Sequence, residues 1–335
     1  MTESKKILIT GGIGYLGTIV AKKLLNKNYD VIVIDPLIFG KANLLELQQN
    51  KRFHLIVGLA EDKYILKKIF EEKIDSVIHL GGLSNDPTAA LDYLLTEKSN
   101  VDSTKNLINI CKKSKVNKFI FASSCSVYGY TGEDILVTEN SKLNPISAYA
   151  KSKIDCEKII IEEQDENFCT VSYRKGTLFG YSPRMRFDLV INTMTGLAQE
   201  QNKIIINGGK QWRPFLDVED AADLYANTVD FDKKLISGKI FNVGDNSMNM
   251  RIIDLVDTFK EVFPNLEIEQ SDNVDKRSYK VSFDKINTEL GWYAKKNIKN
   301  GIIEIKEKLD NKDLINFRDI NFYNIKRMLS YLNIE

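Results

Sequence analysis

Tyr149 and Lys153 stand four residues apart in the run Ala148-Tyr149-Ala150-Lys151-Ser152-Lys153. On a helix, residues at i and i+4 share a face, so the phenol and the ammonium can point into one site. A phenol of ordinary pKa ~10 is a poor base near neutrality, but stabilising its anion by roughly 4 kcal/mol brings that value to about 7. One ammonium about 4 Å away, in surroundings of effective dielectric ~20, supplies roughly that much. The chemistry on offer is proton transfer to and from a hydroxyl. Tyr-x-x-x-Lys also recurs by chance on solvated helix faces, so the elements that position it decide its meaning.

Those elements alternate. Ile7 to Thr10 is a short apolar β run, Tyr15 to Leu25 has helical spacing at Leu16, Ile19, Val20 and Leu24, and Val31 to Ile34 is the next strand. Between the first strand and the helix lies Gly11-Gly12-Ile13-Gly14-Tyr15-Leu16-Gly17. Glycines there allow a tight turn, close approach of backbone to a pyrophosphate, and close packing of helix on strand. The helix N-terminus then offers its free N–H groups to phosphate. Asp35 ends the second strand, where a carboxylate accepts hydrogen bonds from a ribose diol and repels a 2′-phosphate. The unit therefore predicts a dinucleotide site that favours NAD over NADP.

The pattern continues through strands Phe53 to Val57, Ser76 to Leu80 and Lys118 to Ala122, with helical stretches Lys63 to Phe70 and Ala89 to Lys113 between them. Repeated βαβ units predict a Rossmann-like α/β fold, a doubly wound parallel sheet with ligands at the carboxyl ends of its strands. Beyond Gly180 the alternation gives way to loops, with prolines at Pro183, Pro214 and Pro264. The expected organisation is an NAD-binding domain over residues 1–175, a smaller substrate lobe over 176–310 interleaved with it, and a docked helical tail over 311–335.

Composition removes several functions. Lys plus Arg (47) nearly balance Asp plus Glu (46), so no nucleic-acid surface is expected. Cys111, Cys125, Cys156 and Cys169 lack metal-ligand spacing, and a chain of this length needs no disulfides, so free thiols in a reducing cytoplasm are expected. Two histidines, His54 and His79, are too few for a histidine-based metal site or a Ser-His-Asp hydrolase, and no metal is expected. The first apolar run is too short for a signal peptide, and no run approaches the ~18 residues of a membrane span.

Ser123-Ser124-Cys125-Ser126-Val127-Tyr128-Gly129 follows the Lys118 strand and puts small hydroxyls at the sheet edge where Tyr149 is also delivered. With the glycine turn, Ser124 and the Tyr149–Lys153 pair in this order, residues 5–305 resemble the extended short-chain dehydrogenase/reductase family, more narrowly its nucleotide-sugar epimerase and dehydratase branch. The resemblance implies Gly11, Gly14 and Gly17, with Tyr15 and Leu16, at the cofactor pyrophosphate and Asp35 at its ribose. It further implies that Ala60, Leu80, Gly81 and Asn100 line the cofactor, that Ser124 polarises the substrate oxygen, and that Tyr149 and Lys153 are the catalytic pair, also touching NAD. Ser84, Thr177, Leu189, Arg184 and Arg186 are implied to face a nucleoside-diphosphate sugar. Arg213 and Arg277 are implied on its diphosphate, a role suited to a planar fork that stays charged. The helices holding Leu91 to Cys111 and Tyr149 to Ile161 correspond to a four-helix homodimer interface in such enzymes, and Ile154, Ile159, Ile160 and Ile161 are compatible with it.

Departures narrow the chemistry. Sugar 4,6-dehydratases of this branch carry an acid and a base, typically Asp-Glu, where this chain has Cys125 and Ser126. Leu59 replaces an aspartate that contacts adenine in many relatives, leaving backbone near Ala60 or the Asp62 carboxylate for that task. Oxidation at C4 of the sugar is expected, leading to epimerisation if the keto sugar is reduced again, or to a net 4-dehydrogenase or keto-sugar reductase if it is not. A non-catalytic NAD-binding sensor is the reading of another class, and it leaves the intact Ser124, Tyr149 and Lys153 without a use.

Overall fold

The computed structural model of the chain describes residues 4–41, 44–132, 135–271, 275–312 and 316–334. Seven strands make the central sheet: β1 (Lys6–Thr10), β2 (Asp30–Asp35), β3 (Phe53–Val57), β4 (Ser76–His79), β5 (Lys118–Ser124), β6 (Cys169–Lys175) and β7 (Lys239–Val243). Their order is β7-β6-β5-β4-β1-β2-β3 and every pairing is parallel. Neighbouring residues along a strand are buried on opposite faces. Ile7, Ile9, Val31 and Val33 pack with Val20, Leu24, Leu224 and Tyr225, while Leu8, Ile32 and Ile34 pack with Leu66, Leu107, Cys111 and Ile160. Strands covered on both sides read as unbroken apolar runs, which is why the sequence shows them so plainly. The order of strand addition reverses between β1 and β4, and a crevice opens there at the carboxyl ends.

Helix α1 (Gly17–Asn26) follows the glycine turn, α2 (Ser103–Lys113) precedes β5, and α3 (Ala148–Glu162) carries Tyr149 and Lys153. The Ser147 hydroxyl accepts the Ala150 N–H at 3.1 Å and starts α3 one residue before the tyrosine.

The single helix expected from Ala89 to Lys113 is broken into pieces. Short turns at Asp86–Ala89 and Tyr93–Thr96 lead into a π-helical segment, Glu97–Asp102, before α2. The reason is Asn100. Its side chain accepts the Leu83 N–H at 2.8 Å and donates to the Leu83 carbonyl and the Ser152 hydroxyl, so the wide turn is fixed by tertiary bonds.

A smaller lobe gathers around Phe179, Ile191, Phe215, Leu255, Phe259 and Ile302. The tail forms a helix over Asn324–Leu332 and packs Phe317 and Phe322 edge-on to Phe187, while residues 313–315 and 335 of the expected tail lie outside the described residues. Among the described residues no helix is long and apolar enough to cross a membrane, and all four cysteines are buried free thiols.

Candidate active site

One cleft runs along the sheet edge from Asp35, past the glycine turn, to Ser124 and Tyr149. Gly11 has φ +68°, and a Cβ there would lie 2.8 Å from the Gly81 Cα, so the turn brings the ends of β1 and β4 into backbone contact. Gly14, Tyr15, Leu16, Gly17, Ala60, Leu80 and Gly81 also line this half. Asp35 accepts the Ile13 N–H at 3.0 Å and the Leu37 N–H at 2.8 Å. Burial raises its pKa against the pull of those N–H groups and of the Arg184 charge. Cradle, helix N-terminus and acid fit an adenine dinucleotide. The Tyr15 phenol is locked in the core, donating to the Gly180 carbonyl at 2.7 Å. Asp62 caps the helix Lys63–Ile69 by accepting the Tyr64 and Ile65 N–H groups, which leaves Leu59, Ala60 and Glu61 along the cleft.

At the other end, Ser124 and Tyr149 line the cleft together, and the Ser124 hydroxyl acts to lower the pKa of the phenol. Ser123 points the opposite way and bonds to buried Glu157 at 2.5 Å, so only the second serine of the pair reaches the cleft. Glu157 is itself paired with Arg174 at 2.7 Å, which makes Ser123 part of a structural network. Lys153 is buried, with Nζ 4.7 Å from the Phe121 ring centre and 5.7 Å from the Tyr149 ring centre. Burial pushes the Tyr149 phenol well above its ordinary value, the Asp86 charge adds to that, and the Ser124 hydroxyl and the Arg186 charge oppose it. Burial also pushes Lys153 itself down. Lys153 and Asn100 stand behind the lining residues, not among them.

The arginines divide into two groups. Arg277 pairs with Asp275 and Asp86, and Arg213 pairs with Asp275 at 2.7 Å while stacking 5.4 Å from the Tyr279 ring centre. Arg277 lines the cleft; Arg213 lies behind it and donates to the Arg277 carbonyl. Arg186 pairs with Asp188 at 2.8 Å near Ser84, Thr177 and Leu189, all lining residues. Arg184, expected beside the substrate, also lines the cleft; it lies over the Phe39 ring at 5.2 Å and close enough to Asp35 to act on its charge.

Sequence reasoning passed over several residues of the cleft. Ser126 lines it with a buried hydroxyl that has no hydrogen-bond partner. Lys175 lines it too, donating to the Ser123 carbonyl at 2.9 Å, and burial followed by the Lys153 charge pushes its pKa down to about 7. Asp86, Tyr279 and Asn324 complete the wall. Ser126 and Lys175 stood beside residues already singled out, whereas Asp86 and Asn324 reach the cleft through long-range packing that no local pattern encodes. Cys125 turns inward, its thiol donating to the Arg174 carbonyl at 3.1 Å, and burial pushes its pKa up.

Residues 7–244 match the NAD dependent epimerase/dehydratase family. The chain is 29% identical over 340 aligned positions to a dTDP-D-glucose 4,6-dehydratase of Bos taurus, covering 96% of this chain and 91% of that one. It is 25% identical to a UDP-glucose 4-epimerase of Lactobacillus helveticus, covering 87% of this chain and 92% of the relative. Its fold superposes on a UDP-glucuronic acid 4-epimerase from Bacillus cereus solved with UDP-glucuronic acid and NAD, with a TM-score of 0.80, 23% identity, and coverage of 92% of this chain and 99% of that one. The chain is thus a member of the NAD-dependent epimerase/dehydratase family, an enzyme of the extended short-chain dehydrogenase/reductase type that uses NAD.

Proposed function

We propose that the protein epimerises a nucleoside-diphosphate sugar at C4 through a 4-keto intermediate. The observation that carries this reading is that Ser124 and Tyr149 line the far end of the same cleft as the dinucleotide cradle. NAD, when bound, supplies the acceptor and later the donor of the hydride. Tyr149 in its phenolate form takes the proton of the C4 hydroxyl as the C4 hydride leaves, and returns it when hydride comes back to the opposite face. Ser124 donates a hydrogen bond to the same oxygen and supports the forming carbonyl. Arg277, with Arg213 behind it, offers guanidinium groups to the diphosphate, exchanging a carboxylate partner for phosphate oxygens.

Relatives of this chain include dehydratases as well as epimerases. Elimination of water from a 4-keto sugar needs a base and an acid beside the keto group, and the two residues after Ser124 supply neither carboxyl group: Cys125 faces the core and Ser126 is a hydroxyl. That favours epimerisation. Incubation with UDP- and dTDP-hexoses followed by NMR of the recovered nucleotide sugar tests it, with the C4 epimer as the expected product and a 4-keto-6-deoxy sugar as the result against it.

The working unit is proposed to be a homodimer. Tyr93, Leu94 and Ile161 are exposed apolar residues in the segments assigned to that interface, and sedimentation velocity with a monomer as the only species would refute it.

A further inference from the structure

The C-terminal segment lies beyond the span 7–244 that matches the family, yet it reaches the cleft. Asn324 is 3% exposed and lines it. Its Oδ1 accepts from Arg184 Nη2 at 2.7 Å, and its Nδ2 donates to the Ser84 hydroxyl at 3.3 Å. Two further contacts fix the segment on either side. Arg327 Nε donates to the Ile38 carbonyl at 2.9 Å, gripping the loop that follows Asp35. The Phe322 carbonyl accepts the Phe187 N–H at 2.9 Å, with the Phe187 ring packed against Phe317 and Phe322.

Arg184 is the residue this segment holds. It is 2% exposed, its Nε donates to the Phe39 carbonyl at 3.2 Å, and no described carboxylate lies within ion-pair distance of it. Carbonyl and amide oxygens do not neutralise a guanidinium, and a buried cation without a counter-charge is costly. Burial indeed pushes its pKa down to about 9. The cleft it faces is the one that runs between Asp35 and the glycine turn, where the phosphates of a dinucleotide are the anions of suitable charge and geometry.

We infer that the tail is a working part of the cofactor site: Asn324 is a positioning residue that aims Arg184 at the phosphates of bound NAD, and the segment straps the cofactor in. Because Asn324 bonds to Arg184 on one side and Ser84 on the other, release of the dinucleotide requires the strap to lift. Slow release suits a reaction that returns its hydride within one binding event, so the inference also deepens the epimerase reading and rests on NAD as the cofactor.

Dissociation of NADH, followed by its fluorescence in stopped flow, and NAD affinity by calorimetry test this on the full chain. Asn324→Ala is expected to weaken NAD and NADH binding about tenfold, through faster release, with the melting temperature of the cofactor-free protein close to wild type. Asn324→Asp keeps an acceptor for Arg184 but cancels its charge, so it is expected not to restore binding; a purely structural asparagine would be replaced well by it. Arg327→Ala loosens the same strap from the Ile38 side, is expected to speed NADH release, and carries the test should Asn324→Ala fail to fold. Affinities and release rates within twofold of wild type in the folded variants, or full restoration by Asn324→Asp, overturn the inference. Absence of NAD binding by the wild-type chain would instead defeat the cofactor assignment itself.

Discussion

Asp86 forms an ion pair with Arg277 across 191 residues of sequence, and the same carboxylate raises the pKa of the Tyr149 phenol. The proposed substrate anchor and the proposed proton acceptor are thus tied through one charge. Removing that charge in Asp86→Asn lowers the Tyr149 pKa, so the base form persists to lower pH and the acid limb of the kcat profile moves down. Arg186 acts in the opposite sense on the phenol, so Arg186→Gln moves that limb up. Profiles that shift together, or not at all, contradict the assignment of Tyr149 as the titrating base.

Tyr149→Phe removes the atom that carries the proton and nothing of the dinucleotide cradle. Turnover is expected to fall by at least ~10²-fold with NAD still bound at near wild-type affinity, and Ser124→Ala to lower kcat by a comparable or smaller factor. Calorimetry with NAD alongside the rate measurement separates loss of chemistry from loss of cofactor.

Arg277→Met is expected to raise KM for the nucleotide sugar by about 10- to 100-fold, the worth of a charge-assisted hydrogen bond, with a smaller change in kcat. NAD affinity should not change. An equal fall in kcat would place Arg277 at the reacting atoms and away from the diphosphate.

Asp217 provides a check on the fold alone. It caps the helix Val218–Thr228 through the Glu219 N–H, its other oxygen is buried without a partner, and burial pushes its pKa up to about 7. A carboxyl that binds its proton more tightly when folded stabilises the protein at acid pH and loses that contribution as pH rises from its unfolded value of about 4 towards 7. Asp217→Asn should therefore be more stable than wild type at pH 8, by ~1–3 kcal/mol, with the difference closing as pH falls to about 4. Urea melts at the two pH values read this directly.

Five of the seven strands were legible, most plainly where a strand is buried on both faces: Ile7, Leu8 and Ile9 are all fully buried, so the apolar run and the strand nearly coincide, whereas Cys169–Lys175 and Lys239–Val243 were not picked out. The glycine turn was legible because the contact of Gly11 with Gly81 admits no side chain. The π turn at Glu97–Asp102 was not, since helical periodicity does not reveal that Asn100 is claimed by Leu83 and Ser152. Spacing put Tyr149 and Lys153 on one helix but could not show that both lie buried. The tail showed its amphipathic pattern in sequence, while the reach of Asn324 to Arg184 and Ser84 depends on how the segment docks.

The central claim, C4 epimerisation with return of the hydride, is tested most directly with NAD-loaded enzyme and a UDP- or dTDP-hexose carrying deuterium at C4. Mass spectrometry and NMR of the product, with absorbance of NADH followed in parallel, give the fate of that atom. The account predicts the C4 epimer, unchanged in mass, deuterium still at C4, and no accumulation of NADH. A product lighter by one water with deuterium at C6, or NADH formed in proportion to product, would contradict it.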